Sequence, residues 1–165
     1  MTADTQLRPP AAGDLAWMHA LNQDCVPEVG DVTEAELAAL LERATFSLVA
    51  TAGDRGVGFI VCLQPGADYQ SPNFQFFEAQ GRPHLYNDRI AIADGHRGRG
   101  IGRALYEASF AHARERRLGR VTCEVNVKPP NPASLAMHAR LGFEAIEDQT
   151  DPRNGKVVRM LERPV

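Results

Sequence analysis

Leu15, Met18 and Leu21 recur at the spacing of a helix face, and Asp14 stands just before them where a cap belongs. Thr33 with Glu36 forms a capping-box pattern ahead of Leu37, Leu40 and Leu41, so two helices are predicted before any clear strand. Phe46 to Thr51 and Val57 to Leu63 are β-rich runs separated by Ala-Gly-Asp-Arg-Gly. That connection predicts a hairpin. From Pro65 to Pro83 the pattern breaks into an aromatic, loop-like stretch with Tyr69, Phe74, Phe76 and Phe77, read as a structured but irregular insertion.

Further on, Arg89 to Ala93 reads as a strand, Asp94 to Gly100 as a glycine-rich turn, and Ile101 to Leu118 as a helix. Ile101, Ala104, Leu105, Ala108, Ala111 and Leu118 form its apolar stripe. Val121 to Val127 alternates, with Val121, Cys123 and Val125 on one face and Thr122, Glu124 and Asn126 on the other. Asn131-Pro132 matches a helix cap followed by proline at the first helical position, and Gly142 suits the residue that ends that helix. Phe143 to Glu147 and Val157 to Leu161 read as the closing strands. The element order predicts an α/β domain around a mixed sheet.

Composition narrows the class. Of 165 residues, 44% are hydrophobic and 24% charged, which excludes a disordered, collagen-like or disulfide-built chain and predicts one domain, 1–165. Cys25, Cys62 and Cys123 are too far apart for a Cys-x-x-Cys pair, and the five histidines show no ligand spacing, so no metal is expected. No apolar run approaches the roughly 18 residues of a membrane span, and Met1 to Pro10 lacks the order of a signal peptide. The expected location is the cytoplasm, with no membrane partner. The net charge of −3 hides two poles: nine acids against Arg8 and Arg43 up to Asp54, and seven arginines against Glu107 and Glu115 from Arg97 to Arg120. An acidic balance with 7% aromatics argues against nucleic acid.

The densest chemical signal is Arg97-Gly98-Arg99-Gly100-Ile101-Gly102-Arg103, between a predicted strand and a predicted helix. Glycines there let consecutive N–H groups converge at a helix N-terminus, whose dipole favours an anion. A phosphate suits that cradle. The Walker pattern fails for want of Gly-Lys-Ser/Thr, and the dinucleotide fingerprint fails on spacing. A surface turn capped by arginines has the same appearance.

Asp88 to Tyr106, with Arg97, Gly100 and Gly102 in an Arg-x-x-Gly-x-Gly pattern, resembles the central motif of the GNAT superfamily of N-acetyltransferases. Asn131-Pro-Ala-Ser134…His138…Gly142-Phe143 is similar to its second signature. Tyr69 to Phe77 and Cys123 to Asn131 resemble a bacterial branch of acetyltransferases whose substrate is not specified. The resemblance implies a GNAT-like fold: a mixed, mostly antiparallel sheet with a splayed parallel strand pair and helices on both faces.

It implies acetyl-coenzyme A as co-substrate. Ile90, Ala91 and Ile92 would offer backbone groups to the pantetheine arm and the acetyl carbonyl. Amides of Arg97, Gly98, Arg99, Gly100, Ile101, Gly102 and Arg103 would hold the pyrophosphate, with the arginine side chains reaching for the 3′-phosphate. Asn131 and Ser134 match positions that contact the cofactor arm, although a helix cap also accounts for Asn131. The implied reaction is direct attack of a primary amine on the thioester, the acceptor being a small amine or an exposed amino group. An amine with a reference pKa near 10.4 arrives protonated and needs a base. Glu124 is the first choice, with Asp88 and Glu28 as rivals.

Many superfamily members place a tyrosine, as the acid for the departing thiolate, where this chain has His138. The bland alternative is a satisfied core histidine; Tyr86 and Tyr106 are weaker substitutes. The resemblance also places Glu28, among Asp24, Asp31, Glu34 and Glu36, on a wall of the acceptor site, and Asn126 beside Glu124. A homodimer is compatible with this reading. Rival classes are a non-catalytic acyl-coenzyme A sensor and a phosphate-binding interaction module.

Overall fold

The computed structural model describes residues 5–165. The reading of Met1 to Pro10 as free of a signal segment takes in Met1 to Asp4, which lie outside the described residues.

The described chain forms two compact units, one of residues up to Leu63 with Arg89–Ser109, the other of Gln64–Asp88 with Phe110–Val165. The first holds β1 (Thr5–Arg8), α1 (Leu15–Asp24), α2 (Glu34–Arg43), β2 (Phe46–Ala52) and β3 (Arg55–Leu63). The second holds α3 (Pro72–Glu78), β5 (Arg120–Lys128), α5 (Pro132–Arg140), β6 (Glu144–Thr150) and β7 (Val157–Pro164). β4 (Leu85–Ile92) and α4 (Ile101–Glu115) each run through both. Strand order is β1-β2-β3-β4-β5-β7-β6. The pairs β1–β2, β2–β3, β5–β7 and β6–β7 are antiparallel and β4–β5 is parallel, with helices on both faces. The parallel ladder comprises Leu85–Val121 and Tyr86–Thr122, two residues out of strands of eight and nine.

In the first unit, Thr5–Arg8 pairs with β2 from Thr5–Ala52 to Arg8–Val49 and corrects the expectation that two helices precede any strand. Four residues hold too short an alternation to declare themselves; pairing with the backbone groups along β2 makes the strand. Asp14 is the N-cap residue of α1, but its side chain does not cap that helix. Its carboxylate accepts from Arg8 Nη1 and Nη2 at 2.6 and 2.9 Å, from Ala11 N at 2.7 Å and from Trp17 Nε1 at 2.9 Å. The Arg8 bonds hold the Asp14 carboxyl well below the usual carboxylate range. At α2 the predicted capping box forms: Glu36 N donates to Thr33 Oγ1 at 3.1 Å and Thr33 N to Glu36 Oε2 at 2.7 Å. Gly56 of β3 lies under the Trp17 ring, whose carbons would sit 2.4 Å from a Cβ there.

In the second unit, the aromatic stretch contains a helix where an irregular insertion was expected. Pro72 opens α3 and Phe74 and Phe77 are fully buried. They pack against Tyr86, Phe74 edge-on with ring centroids 5.5 Å apart. α4 ends at Glu115 and not Leu118, because Arg117 and Gly119 take φ of 55° and 74° to turn into β5. Asn131 caps α5 by accepting from Ser134 N at 3.3 Å, and Gly142 ends it at φ 86°, both as predicted.

Candidate functional site

The glycine cluster belongs to the first unit. Ala93 N donates to Val57 O at 2.9 Å, and His96 and Arg97 then close a single turn on Ala93 and Asp94. Gly98 and Gly100 follow at φ 72° and 81°, a region that strains any residue with a Cβ. Gly100 O accepts from Ala104 N at 2.9 Å, so α4 starts here. The first-turn amides of Ile101, Gly102 and Arg103 therefore have no carbonyl four residues back in the helix. Gly98, Arg99, Gly100 and Arg103 are exposed, and nothing lies within 4 Å of a Cβ built on Gly98. The geometry is a solvent-facing glycine turn that leads into a helix N-terminus.

The arginines of the cluster differ in their engagements. Arg97 turns back: Nε donates to Ile92 O at 3.2 Å, Nη1 pairs with Asp94 at 3.2 Å, and Nη2 lies 3.6 Å from Cys25 Sγ. Burial pushes the Cys25 thiol up, partly offset by Arg97. Arg103 sits 3.8 Å from Glu107, mostly exposed. Just upstream, Ala91 is buried while Ile90 and Ile92 are half-buried. Gly58 of β3 is packed against this segment, since a Cβ there would lie 2.8 Å from Ile92 Cδ1 and 3.1 Å from Ala91 O.

Glu28 is exposed in the turn after α1, where Val29 N donates to Cys25 O at 2.9 Å. Buried Arg89 holds this connection: Nη1 donates to Asn22 Oδ1 at 2.9 Å and to Gly30 O at 3.3 Å, and Asn22 Nδ2 donates to Gly30 O at 3.1 Å. The sequence reading missed Arg89 in this role.

The second unit gathers the other candidates on the polar face of β5. Thr122 Oγ1 lies 3.1 Å from His84 Nδ1, and His84 Nε2 lies 3.0 Å from Glu78 Oε1. Glu124 Oε1 accepts from Asn73 Nδ2 at 3.1 Å and Oε2 from the Tyr86 hydroxyl at 2.7 Å. Asp88 Oδ1 accepts from the Tyr69 hydroxyl at 2.5 Å. Asn126, 9% exposed, is the third residue of the face, and its carbonyl accepts from Asn131 N at 3.2 Å. Burial raises Tyr86 well above the ordinary tyrosine value, and Glu124, Asp88 and Tyr69 push the same way. Tyr86 is therefore a neutral donor. In the sequence Tyr69 stands out only as part of the aromatic stretch, and neither it nor Asn73 nor His84 shows a pattern that pairs it with β5.

His138, on α5, is 3% exposed. Its Nδ1 lies 2.7 Å from Ser134 O and 3.3 Å from Ser134 Oγ, and its ring meets Phe143 edge-on at 5.1 Å. Burial lowers its pKa, so the imidazole is neutral at pH 7. Tyr106, on α4, is fully buried. Among the described residues no group of three or more His, Cys, Asp or Glu side chains is placed to hold a metal ion, and no helix is long and apolar enough to cross a membrane.

Comparison with known proteins adds to this geometry. The acetyltransferase (GNAT) family description matches residues 15–143. A mycothiol acetyltransferase of Salinispora arenicola is 31% identical over 140 residues, which is 81% of this chain and 42% of that relative, so the chain spans less than half its length. Ard1 from Thermoplasma volcanium superposes with a TM-score of 0.81 at 19% identity, covering 99% of both chains. A phosphinothricin acetyltransferase from Sinorhizobium meliloti, solved with acetyl-coenzyme A, gives 0.73 at 20% identity, covering 98% of this chain and 89% of that one.

Proposed function

Because the chain belongs to the acetyltransferase (GNAT) family, we propose that it binds acetyl-coenzyme A and transfers the acetyl group to a primary amine by direct attack in a ternary complex. In this reading residues 1–165 act as one acetyltransferase domain, which the family match supports by running through segments of both compact units. The observation that carries it is the segment from Arg97 to Arg103: two glycines at positive φ, exposed, leading into first-turn amides that have no intrahelical carbonyl to bond. These groups fit a diphosphate. The relative solved with acetyl-coenzyme A supports the same ligand.

When bound, the cofactor supplies an acetyl thioester. Amides of residues 98–103 hold its pyrophosphate, with exposed Arg99, and Arg103 on leaving its exposed pair with Glu107, reaching toward further phosphate. Arg97 instead braces the end of β4 through Ile92 O. Backbone groups of Ile90, Ala91 and Ile92 orient the pantetheine arm and polarise the acetyl carbonyl. The Asn131 side-chain oxygen caps α5, so its NH2 is the group we assign to the cofactor arm, together with Ser134.

Glu124 takes the proton from the attacking amine, directly or through one water. Asp88, with Tyr69 on one oxygen, is the second carboxylate available to the acceptor. Return of a proton to the thiolate is assigned to His138 through Nε2, which requires the imidazolium form, because the single proton of the neutral ring sits on Nδ1 and is donated to Ser134 O. Glu28 and Asn126 are assigned to the acceptor, a small amine or exposed amino group. A cytoplasmic location and a homodimer complete the proposal, with fractionation and sedimentation as their tests.

Calorimetry tests the cradle. Gly100→Val should weaken coenzyme A binding at least tenfold with the circular dichroism spectrum unchanged, because the left-handed backbone there rejects a β-branched residue. Unchanged affinity removes the pyrophosphate assignment.

A further inference from the structure

We propose that Asn73, on α3, is a positioning residue that sets the orientation of the Glu124 carboxylate for proton abstraction. The inference rests on the reading of Glu124 as the base. A carboxylate only accepts hydrogen bonds, so the amide must present its NH2 to Oε1, at 3.1 Å, while the Tyr86 hydroxyl engages Oε2 at 2.7 Å. A donor on each of the two oxygens, Asn73 and Tyr86, fixes the plane of the group. Asn73 is 7% exposed and precedes Phe74, which is fully buried, so its polar end needs a partner inside the protein.

The helix that carries Asn73 is itself tied to the same strand face. Its last residue, Glu78, reaches Thr122 through His84, with legs of 3.0 and 3.1 Å. Five residues of helix rise about 7.5 Å, and two residues of strand rise about 6.8 Å. Asn73 near the start of α3 thus meets Glu124 directly, and Glu78 at its end is linked to Thr122 through His84. Phe74 and Phe77 hold its middle by packing on His84 and Tyr86. A base held this way reaches the reaction with its orientation already set, and misplacement by an ångström is costly in rate.

Hydrogen bonds to a charged acceptor favour it over its protonated form, so removing the Asn73 donor has a signature that simple loss of packing lacks. The other ionisable groups at this spot are Tyr86, which feels Glu124, Asp88 and Tyr69, Arg153, which feels Tyr69 and Tyr86, and the His84–Glu78 pair at the far end of α3. Asn73→Ala leaves all of these residues in place and adds no charge among them.

The test is kcat and KM against pH from 5.5 to 9.5 for Asn73→Ala and Asn73→Asp, with Glu124→Gln alongside. The expected result is a fall in kcat of roughly tenfold or more, a KM for acetyl-coenzyme A within about twofold, and an acid limb of kcat/KM displaced to higher pH. Asn73→Asp, which keeps the shape and sets a second carboxylate against the first, should show the larger displacement. Wild-type kinetics in both variants, or a loss of kcat with the acid limb unmoved, overturns the positioning role while Glu124→Gln stays inactive. A Glu124→Gln enzyme at wild-type rate overturns instead the reading of Glu124 as base, and so the two failures are distinct.

Discussion

The Tyr86 hydroxyl donates to Glu124 Oε2 across 2.7 Å from a side chain with no solvent exposure. Burial, reinforced by the carboxylates of Glu124 and Asp88, raises Tyr86 far enough to keep it a neutral donor across the working pH range. This makes it a partner of the base and removes it from the acids that could serve the thiolate. Tyr86→Phe keeps the ring against Phe74 and Phe77 but leaves one carboxylate oxygen short of a donor. Urea denaturation should show a loss of about 1–3 kcal/mol, and an ultraviolet titration of the native protein should find one phenol fewer to titrate late. A variant as stable as wild type would mean that solvent replaces the bond.

His84 and His138 are both buried, and burial lowers both pKa values. Unfolded, each titrates near 6.5 (about the reference value). Below that pH the unfolded chain binds protons that the fold refuses, so their contribution is complete above about 6.5 and is lost as pH falls through the folded values. Stability to urea should drop between pH 6.5 and 5, with a slope of at most about 2.7 kcal/mol per pH unit for two such groups. His138→Asn should flatten that slope. A slope unchanged by the substitution would show that His138 protonates in the fold as readily as in the unfolded chain.

Gly58 offers a separate handle on β4. An added methyl would meet Ile92 Cδ1 at 2.8 Å and the Ala91 carbonyl at 3.1 Å, and the carbonyl cannot step aside without moving the strand. Gly58→Ala should cost about 1–3 kcal/mol and weaken coenzyme A binding. Gly13→Ala, with open space around the new methyl, should do neither. Equal affinity in the two variants would detach β4 from cofactor binding.

Much of this was legible in the chain because local chemistry and tertiary role agreed. The Thr33–Glu36 capping box, the Asn131 cap and the Gly142 terminator form as read, since each depends on residues within a few positions. The polar face of β5 was visible as alternation, but its partners were not. Asn73 lies 51 positions before Glu124, and the proline, glycine and aromatic content around it concealed a seven-residue helix. Ser71-Pro72 followed by Phe74 and Phe77 at three-residue spacing was the available signal. Asp14 shows the converse: a good cap residue diverted to Arg8, Ala11 and Trp17 by a four-residue strand that local propensity does not announce.

The charge of the acceptor is open to a salt series. Glu28 is exposed outside either flanking helix, so no helix dipole accounts for it, and an anion there would draw a cationic amine. Glu28→Gln should raise the KM for a cationic amine at low ionic strength, roughly twofold or more, and the difference should vanish in about 0.5 M salt as screening shortens to a few ångströms. An unchanged KM, or a best acceptor that is anionic, removes Glu28 from acceptor recognition.

Transfer of an acetyl group from acetyl-coenzyme A to an amine, with Glu124 as base, releases one free thiol per turnover. Free thiol can be followed continuously with a disulfide reagent while purified protein is mixed with acetyl-coenzyme A and a panel of primary amines, in wild type and in Glu124→Gln. Wild type should release thiol only with amine present, with the acetylated amine recovered in equal amount, and Glu124→Gln should be at least a hundredfold slower (about 2.7 kcal/mol of barrier). Saturable coenzyme A binding with no thiol release from any amine would contradict it and identify a non-catalytic acyl-coenzyme A-binding protein.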